Sequence, residues 1–250
     1  MLRIRAVTVD FWGTLILDPP SSDDRYRRRR LADFETVLAG AGVRVSQAEL
    51  ERAYEASSSF LGRLWSQNKD VPAIEHVRAI LAAVDPGLPE RLNAEALAAL
   101  LDAYARPALL VPPAVDTGAR RALERLRERG LVLAVLSNTM RTPGATLCKL
   151  LDRFGLLGCF ARTIFSDEVG VRKPSPEIFA LTLRALQVEP AATIHVGDDP
   201  VLDVGGAQDA GIRVIQVTSA SRKSLGPQRP DAVVPSLAAL PEAISSLDEL

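Results

Sequence analysis

The sequence predicts a doubly wound α/β fold built on a parallel sheet, with a helical insert close to the N-terminus. Five short runs rich in β-branched residues are spread along the chain, at residues 4–9, 131–136, 163–165, 193–196 and 212–217. Short apolar runs of this kind are typical of strands that are covered on both faces, as in a parallel sheet. Helical patterns separate the later runs, and this alternation predicts an α/β domain. The long segment after the first run shows no strand pattern.

The predicted helices of the α/β part are marked by their ends. The pattern at 116–129 places Leu123 and Leu126 on one side and stops at Gly130, a residue suited to the position after a helix. Three dipeptides combine a capping residue with a proline at the first helical position, and each predicts a helix start: Thr142-Pro143, Ser175-Pro176 and Asp199-Pro200.

The segment at 18–111 predicts an insert of four helices. Apolar residues recur at helical spacing near its start, at Leu31, Phe34 and Leu38. Ser46 to Glu49 has the form of a capping box, and two further helices are predicted near 72–84 and 91–105. The predicted domains are therefore an α/β core at residues 1–17 and 112–250 and a helical cap at residues 18–111.

The net charge and the lengths of the apolar runs argue against two classes of protein. The formal net charge of the 250 residues is −1, which argues against the basic field of a nucleic-acid-binding protein. No apolar run approaches the roughly 20 residues that span a bilayer, and we expect a cytoplasmic protein that does not bind membranes. The two cysteines, Cys148 and Cys159, are interpreted as buried thiols in a reducing compartment.

Candidate catalytic residues stand after four of the predicted strands. They are Asp10 after the first, Ser137-Asn138 after the second, Lys173 in the loop after the third, and Asp198-Asp199 after the fourth. In an open α/β sheet the ligand crevice lies at the carboxyl ends of the strands, so we expect these groups to converge.

Such a set suits phosphoryl transfer. A carboxylate nucleophile and a phosphoryl group repel each other, and Mg²⁺ held by carboxylates offsets that repulsion. A lysine ammonium stabilises charge on the equatorial oxygens, and attack by a carboxylate gives an aspartyl-phosphate that water then hydrolyses. Each residue also has an ordinary structural interpretation, since Asp10 and Ser137-Asn138 suit turns and Lys173 suits a solvated loop. It is their joint placement that favours a site.

Four segments resemble the motifs of the haloacid dehalogenase (HAD) superfamily. Asp10-Phe11-Trp12-Gly13-Thr14-Leu15 after an apolar strand resembles the first motif, and Leu136-Ser137-Asn138 the second. The segment at 171–179, with Lys173-Pro174, is similar to the third. The segment at 195–203, with Gly197-Asp198-Asp199, is similar to the fourth. The motifs occur in the family's order, and the predicted insert stands where the family has its cap.

The resemblance implies a Rossmann-like HAD core with a helical cap of the C1 type, and a Mg²⁺-dependent hydrolase of a small phosphorylated metabolite. Asp10 is then the nucleophile and a metal ligand, with the backbone carbonyl of Trp12 and the carboxylate of Asp198 as further ligands. Ser137, with Asn138 beside it, contacts the phosphoryl group, and Lys173 bridges that group to Asp10. Asp203 stands behind the metal and orients Lys173 or a metal-bound water.

Trp12 departs from the pattern of the family's phosphatases. These usually carry a second Asp two residues after the nucleophile, which protonates the leaving group, and an indole cannot transfer protons. Haloacid dehalogenases have an aromatic residue there, so Trp12 favours a dehalogenase. Gly197-Asp198-Asp199 favours the metal-dependent phosphatase, because acids that cluster without a metal repel one another. A weakly active binding or regulatory protein is the third hypothesis.

Several other residues receive ordinary structural interpretations. We expect His195 to be a core histidine within a strand and His76 to lie on a helix surface. Phe60 and Trp65 are interpreted as part of the cap core rather than as a platform for substrate. The run of four arginines at 27–30 is interpreted as a solvated helix face, with anion contact at the cleft as the alternative.

Overall fold

Eight strands and twelve α-helices make up the fold in the computed structural model, which describes residues 3–17, 22–218 and 228–249. The strands are β1 (Ala6–Val9), β2 (Ile16–Leu17), β3 (Ala114–Val115), β4 (Val132–Ser137), β5 (Arg162–Phe165), β6 (Thr193–Gly197), β7 (Arg213–Val217) and β8 (Ala232–Val234). The first six helices are α1 (Ser22–Gly40), α2 (Gln47–Trp65), α3 (Ala73–Val84), α4 (Leu88–Arg91), α5 (Ala94–Ala105) and α6 (Pro107–Leu110). The others are α7 (Ala119–Glu128), α8 (Gly144–Arg153), α9 (Ser166–Val169), α10 (Pro176–Leu186), α11 (Gly206–Asp209) and α12 (Leu240–Glu249).

Six of the strands form one parallel sheet in the order β5-β4-β1-β6-β7-β8. The first strand lies between β4 and β6, so that Val9 is opposite Val135 on one side and Val196 on the other. Along the chain, the later strands are therefore added first on the β4 side of β1 and then on its β6 side. A ligand crevice is expected at the carboxyl ends of the strands where that direction reverses. The five predicted strands and the doubly wound α/β class are confirmed.

Apolar clusters on both faces of the sheet explain why its strands are apolar. On one face Val7, Val9, Leu133 and Val135 pack with residues of α7, α8 and α12. On the other face Leu136 and Val214 pack with residues of α10 and α11, including Phe179. Burial on both sides leaves no face on which polar residues would alternate.

Helix ends follow the predicted capping chemistry with one exception. Ser46 and Glu49 form the capping box of α2, and Ser175 caps α10 with Pro176 at its first turn. Asp199 accepts hydrogen bonds from the amides of Val201 and Leu202 and caps a π-helical turn, Pro200–Gly205, that leads into α11. The prediction for Thr142-Pro143 was one residue early: Pro143 has extended backbone and is itself the N-cap, so that α8 begins at Gly144.

The described part of the insert, residues 22–111, consists of helices and loops and forms no strand. Its four long helices surround their own apolar cluster, to which α1, α2, α3 and α5 contribute. The two single-turn helices α4 and α6 were not predicted. The separate cluster supports the proposed division into core and cap, although residues 18–21 at the proposed boundary lie outside the described ranges. None of the described helices has the length and hydropathy to cross a bilayer.

The structure corrects three interpretations of residues in the insert, the first of them for Arg30 alone. Arg28 and Arg29 are exposed, but Arg30 is buried and donates hydrogen bonds to the carbonyl oxygens of Tyr104 and Arg141, at 2.8 Å each. His76 is buried because α3 packs against both α2 and α5, and its Nδ1 hydrogen-bonds the Tyr104 hydroxyl at 2.8 Å. Phe60 and Trp65 are only half-buried and stand outside the apolar cluster of the insert.

Candidate active site

Three strand ends bring the predicted site residues to one edge of the sheet. Asp10 follows β1, Ser137 ends β4 and Asp198 follows β6. The amide of Asp10 still donates to the carbonyl oxygen of Val196 at 2.8 Å, so the turn that carries Asp10 remains attached to β6. All three side chains are buried in this crevice.

Lys173 reaches the same edge from the loop that precedes α10. Its ammonium donates to Asp10 Oδ1 at 2.6 Å, to Asp203 Oδ1 at 2.5 Å and to the carbonyl oxygen of Leu136 at 3.1 Å. These three hydrogen bonds use all three donors of the ammonium group. The lysine is only 3% exposed, so its predicted alternative as a solvated loop residue is wrong.

Asn138 supports Lys173 through the backbone. Its Oδ1 accepts from the Lys173 amide at 2.9 Å, and its Nδ2 donates to the Lys173 carbonyl oxygen at 3.0 Å. Both ends of the Asn138 amide are thereby occupied within the protein. Asn138 therefore connects the loop after β4 to the loop before α10. The sequence had predicted that it lies beside Ser137 at the phosphoryl group.

Asp203 stands at the centre of a buried hydrogen-bond chain. Besides Lys173, its Oδ1 contacts His195 Nε2 at 3.0 Å, and its Oδ2 accepts from the Asp199 amide at 2.9 Å. His195 Nδ1 in turn hydrogen-bonds the hydroxyl of Thr8 at 2.8 Å. The interpretation of His195 as a core histidine was therefore incomplete. The signal for it was the pairing of two polar residues, Thr8 and His195, within otherwise apolar neighbouring strands.

Three carboxylates meet in this crevice. Asp10, Asp198 and Asp203 each offer an oxygen, and these oxygens lie within 4.8 Å of one another. Two glycines make room for them. A Cβ at Gly13, where φ is +80°, would lie 2.6 Å from the Asp198 carboxyl carbon. A Cβ at Gly197 would lie closer still to the Asp203 carboxylate.

Burial and neighbouring charges shift the pKa values of four buried groups in this crevice, two of them upward and two downward. Burial raises the pKa of Asp10 to about 6, although Lys173 works in the opposite direction. For Asp203 the same burial is outweighed by Lys173 and His195, which hold its pKa below the ordinary range. Burial likewise opposes the charge of Lys173, but Asp10 and Asp203 outweigh it and raise the lysine pKa. Burial also lowers the pKa of His195, which favours its neutral form.

The remaining two predicted residues line the first turn and β4. The Ser137 hydroxyl is fully buried, donates to the Asn138 carbonyl oxygen at 3.3 Å and helps to lower the pKa of Asp10. Trp12 is half-buried and lies edge-on to Phe11, with ring centroids 5.0 Å apart. Its indole N–H is buried and has no hydrogen-bond partner within the described ranges.

Comparison with known proteins identifies the family. The family model described as haloacid dehalogenase-like hydrolase matches residues 4–211, from the first strand to beyond Asp203. The chain belongs to this family. The protein is thus a HAD-like hydrolase, and its recognition from four sequence motifs is confirmed.

Relatives of this HAD-like hydrolase include phosphatases of two organisms. It is 37% identical over 245 residues to phosphoserine phosphatase of Thermus thermophilus, covering 92% of this chain and 93% of the relative. It is 29% identical over 233 residues to glyceraldehyde 3-phosphate phosphatase of Methanopyrus kandleri, covering 92% and 91%. Among solved structures, a 2-haloacid dehalogenase from Pseudomonas syringae pv. Tomato DC3000 superposes with a TM-score of 0.73 at 24% identity, covering 98% and 99%. That last likeness concerns the fold alone.

Proposed function

We propose that this HAD-like hydrolase is a Mg²⁺-dependent phosphatase of a small phosphorylated metabolite, acting through an aspartyl-phosphate on Asp10. The observation that carries the proposal is the placement of one buried ammonium, that of Lys173, between Asp10 and Asp203 with Asp198 in the same cluster. The phosphatase names of the two relatives that cover nine-tenths of the chain support the same reaction class.

The charges of the site fit a divalent cation. Among the residues that the structure describes, three carboxylates face one ammonium, and an incoming phosphoryl group would add further negative charge. Asp10, Asp198 and the backbone carbonyl of Trp12 are the proposed ligands, since oxygen ligands are those that Mg²⁺ prefers. Both oxygens of Asp203 already accept hydrogen bonds from the protein, which supports an orienting role for it rather than ligation. Bound Mg²⁺ would neutralise charge between the nucleophile and the phosphoryl oxygens.

The residues of the chain account for the two displacements. The Asp10 carboxylate attacks phosphorus, a new O–P bond forms, and the bond to the leaving oxygen breaks. Lys173 stabilises the charge on the equatorial oxygens, and Asp203 and Asn138 hold the lysine in place. Water then attacks the phosphorus of the aspartyl-phosphate, the bond between phosphorus and the Asp10 oxygen breaks, and the two water protons leave with the inorganic phosphate as the Asp10 carboxylate is regenerated.

Trp12 limits which substrates suit the site. The leaving oxygen must depart without a proton from the residue at this position, because an indole N–H is not an acid near neutral pH. Phosphate esters whose leaving groups are stable anions meet that requirement. We therefore propose acyl phosphates, aryl phosphates or substrates that supply their own acid as the preferred class.

A dehalogenase is the second candidate function, and Trp12 is the observation that favours it. The substrate would then be a 2-haloacid, and Asp10 would displace halide from carbon. The carboxylate at Asp198 argues against this reaction, because it adds negative charge to a site that would have to receive an anionic acid. A protein with binding activity alone is the third candidate, and it predicts no turnover on either class.

A turnover panel tests the proposed function. Phosphate release from p-nitrophenyl phosphate, phosphoserine and glyceraldehyde 3-phosphate is measured with Mg²⁺ and with excess chelator, and halide release from 2-chloropropionate is measured in parallel. We expect phosphate release that requires Mg²⁺ and falls by about 10⁴-fold or more in Asp10→Asn, as expected on loss of a nucleophile. Halide release in chelator would establish the dehalogenase instead.

A further inference from the structure

The loop between α2 and α3 of the cap pairs with the core loop that leads to Lys173. The amide of Asp70 donates to the carbonyl oxygen of Gly170 at 3.0 Å, and the amide of Arg172 donates to the carbonyl oxygen of Asn68 at 2.9 Å. Lys69 and Val171 form an antiparallel bridge between these two hydrogen bonds. The cap thereby holds the backbone immediately before the catalytic lysine.

The Asp70 side chain reinforces this pairing from inside the junction. Its Oδ2 accepts from Arg172 Nη1 and from the Ser166 hydroxyl, each at 2.5 Å. Its Oδ1 accepts from the indole N–H of Trp65 at 3.2 Å and from the Val71 amide at 3.0 Å. Asp70 and Arg172 are 5% and 4% exposed, so this ion pair is closed to solvent.

Trp65 and Met140 complete the surroundings of Arg172. The guanidinium carbon lies 4.4 Å from the centre of a Trp65 ring, a cation–π arrangement. Its other terminal nitrogen lies 3.4 Å from the sulfur of Met140. Arg172 is therefore enclosed by cap and core, and its position depends on the cap carboxylate that neutralises it.

The contacts of Asp70 lead to both catalytic loops. Arg172 is the neighbour of Lys173 in the chain. The Ser166 hydroxyl that donates to Asp70 also accepts from the Thr139 amide at 3.0 Å, in the loop that follows Ser137 and is called here the Ser137 loop. The Asp70 carboxylate of the cap is thus linked through Ser166 to the loop after β4 and through Arg172 to the loop before α10.

We infer that Asp70 is a positioning residue, supplied by the cap, that holds Lys173 and the Ser137 loop in the geometry required for phosphoryl transfer. The inference rests on the proposed function and deepens it. Its consequence is that the catalytic lysine is fixed only when the cap loop is seated on the core. A residue that only stabilises the fold would change the melting temperature and leave kcat of the folded enzyme unchanged.

Kinetics of Asp70→Asn test this role with p-nitrophenyl phosphate, well below the melting temperature of each variant. We expect kcat to fall by roughly 10–10²-fold with little change in KM, because misplacement of a catalytic group by about 1 Å costs this much. Asp85→Asn is the matched control, since Asp85 pairs with Arg91 entirely within the cap. Its kcat should equal that of the wild type.

The double variant Asp70→Asn/Arg172→Gln separates positioning from stability. Removing both charges relieves the uncompensated buried guanidinium that Asp70→Asn leaves, so the melting temperature should recover. The kcat value should stay low, because the link between cap and catalytic loops is still absent. Recovery of kcat together with the melting temperature would overturn the inference.

Hydrogen exchange gives a readout that does not depend on turnover. In Asp70→Asn the amides of Thr139 and Lys173 should exchange faster, and in Asp85→Asn they should exchange as in the wild type. Unchanged exchange and unchanged kcat in Asp70→Asn would overturn the inference. A wild type that shows no phosphoester turnover refutes the proposed function instead, while faster exchange in Asp70→Asn would still support the coupling of the loops.

Discussion

Trp12 is the residue that most restricts the chemistry of this site. It stands two residues after Asp10, within the turn that also contains Gly13, and its ring packs edge-on against Phe11. The indole can donate a hydrogen bond but cannot deliver a proton to a departing alkoxide. In the proposed reaction Lys173 and the metal ligands would stabilise charge, while position 12 supplies no general acid.

The lack of a general acid at position 12 predicts a steep dependence of rate on the pKa of the leaving group. General acid catalysis contributes about 10²–10⁴-fold, so alkyl phosphates should be slower than aryl phosphates by roughly that additional factor. Trp12→Asp should raise the rate on an alkyl phosphate more than on an aryl phosphate, since only the alkoxide needs the proton. Matched kinetics on one ester of each kind measure this. Equal chemistry-limited rates in the wild type would show that another group supplies the proton.

Asp70 is the residue that should make stability depend on pH. Burial alone would raise its pKa, but His76, whose Nε2 lies 3.9 Å from Asp70 Oδ1, the Arg172 guanidinium and the Ser166 hydroxyl lower it to about 2. Asp167 is the other charged group that acts within this cluster. A carboxyl with a lowered pKa stabilises the fold above its ordinary pKa and loses that contribution as the pH falls toward the folded value.

The free energy of unfolding should therefore differ between the wild type and Asp70→Asn in a pH-dependent way. The lowered pKa of Asp70 corresponds to a stabilisation of about 2 kcal/mol at pH 6, and about half of this stabilisation should remain at pH 3. Urea denaturation of both proteins at the two pH values measures the difference. A difference that grows as the pH falls would contradict the assignment of a lowered pKa.

At the scale of elements, the turn after β1 is shaped by the need to approach Asp198. Gly13 and Gly130 have nearly the same backbone, with φ of +80° and +81°, but only Gly13 has a neighbour within 4 Å of an added Cβ. The pair therefore separates the cost of the left-handed backbone from the cost of crowding the site.

Alanine at each glycine should show this separation. Gly130→Ala should cost about 1–2 kcal/mol of stability through the left-handed conformation and leave turnover unchanged. Gly13→Ala should carry the same backbone cost and also displace the Asp198 carboxylate, so turnover and Mg²⁺ affinity should both fall. Turnover and chemical denaturation of the two variants test it. Equal turnover in both would mean that Asp198 adjusts without loss.

The elements that could be predicted from the sequence are those with long or distinctive patterns. The apolar runs located five strands, and capping chemistry located the starts of α2 and α10. Two-residue strands such as β2 and β3 are too short to show periodicity, and they exist because the core segments before and after the insert pair with each other. The single-turn helices α4 and α6 escaped prediction for the same reason of length.

At the scale of the whole molecule, the site was predictable wherever it depended on strand ends. Asp10 and Lys173 are 163 residues apart, yet their meeting follows from the rule that ligands bind at the carboxyl ends of parallel strands. The contacts between cap and core did not follow from any local pattern. The burial of Arg30 and the pairing of Asp70 with Arg172 depend on how the helices and loops of the insert pack against residues of the core.

The core and the cap contribute different groups to the proposed site. The core supplies the proposed nucleophile and metal ligands from strand ends and from the turn after β1, and it supplies Lys173 from the loop that precedes α10. The cap supplies Asp70, which acts on the lysine loop from outside the sheet. We expect substrate choice to depend on Trp12, because the charge-stabilising groups do not distinguish one phosphoester from another.

Detection of a phosphoryl group on Asp10 during turnover tests the proposed covalent intermediate. The wild type is mixed with an aryl phosphate and Mg²⁺, quenched in acid within a single turnover, and digested for mass spectrometry. We expect the peptide containing Asp10 to gain the mass of one phosphoryl group, and we expect no such gain in Asp10→Asn or in excess chelator. Phosphate release by the wild type with no phosphorylated Asp10 at any quench time, or at full rate in chelator, would contradict it.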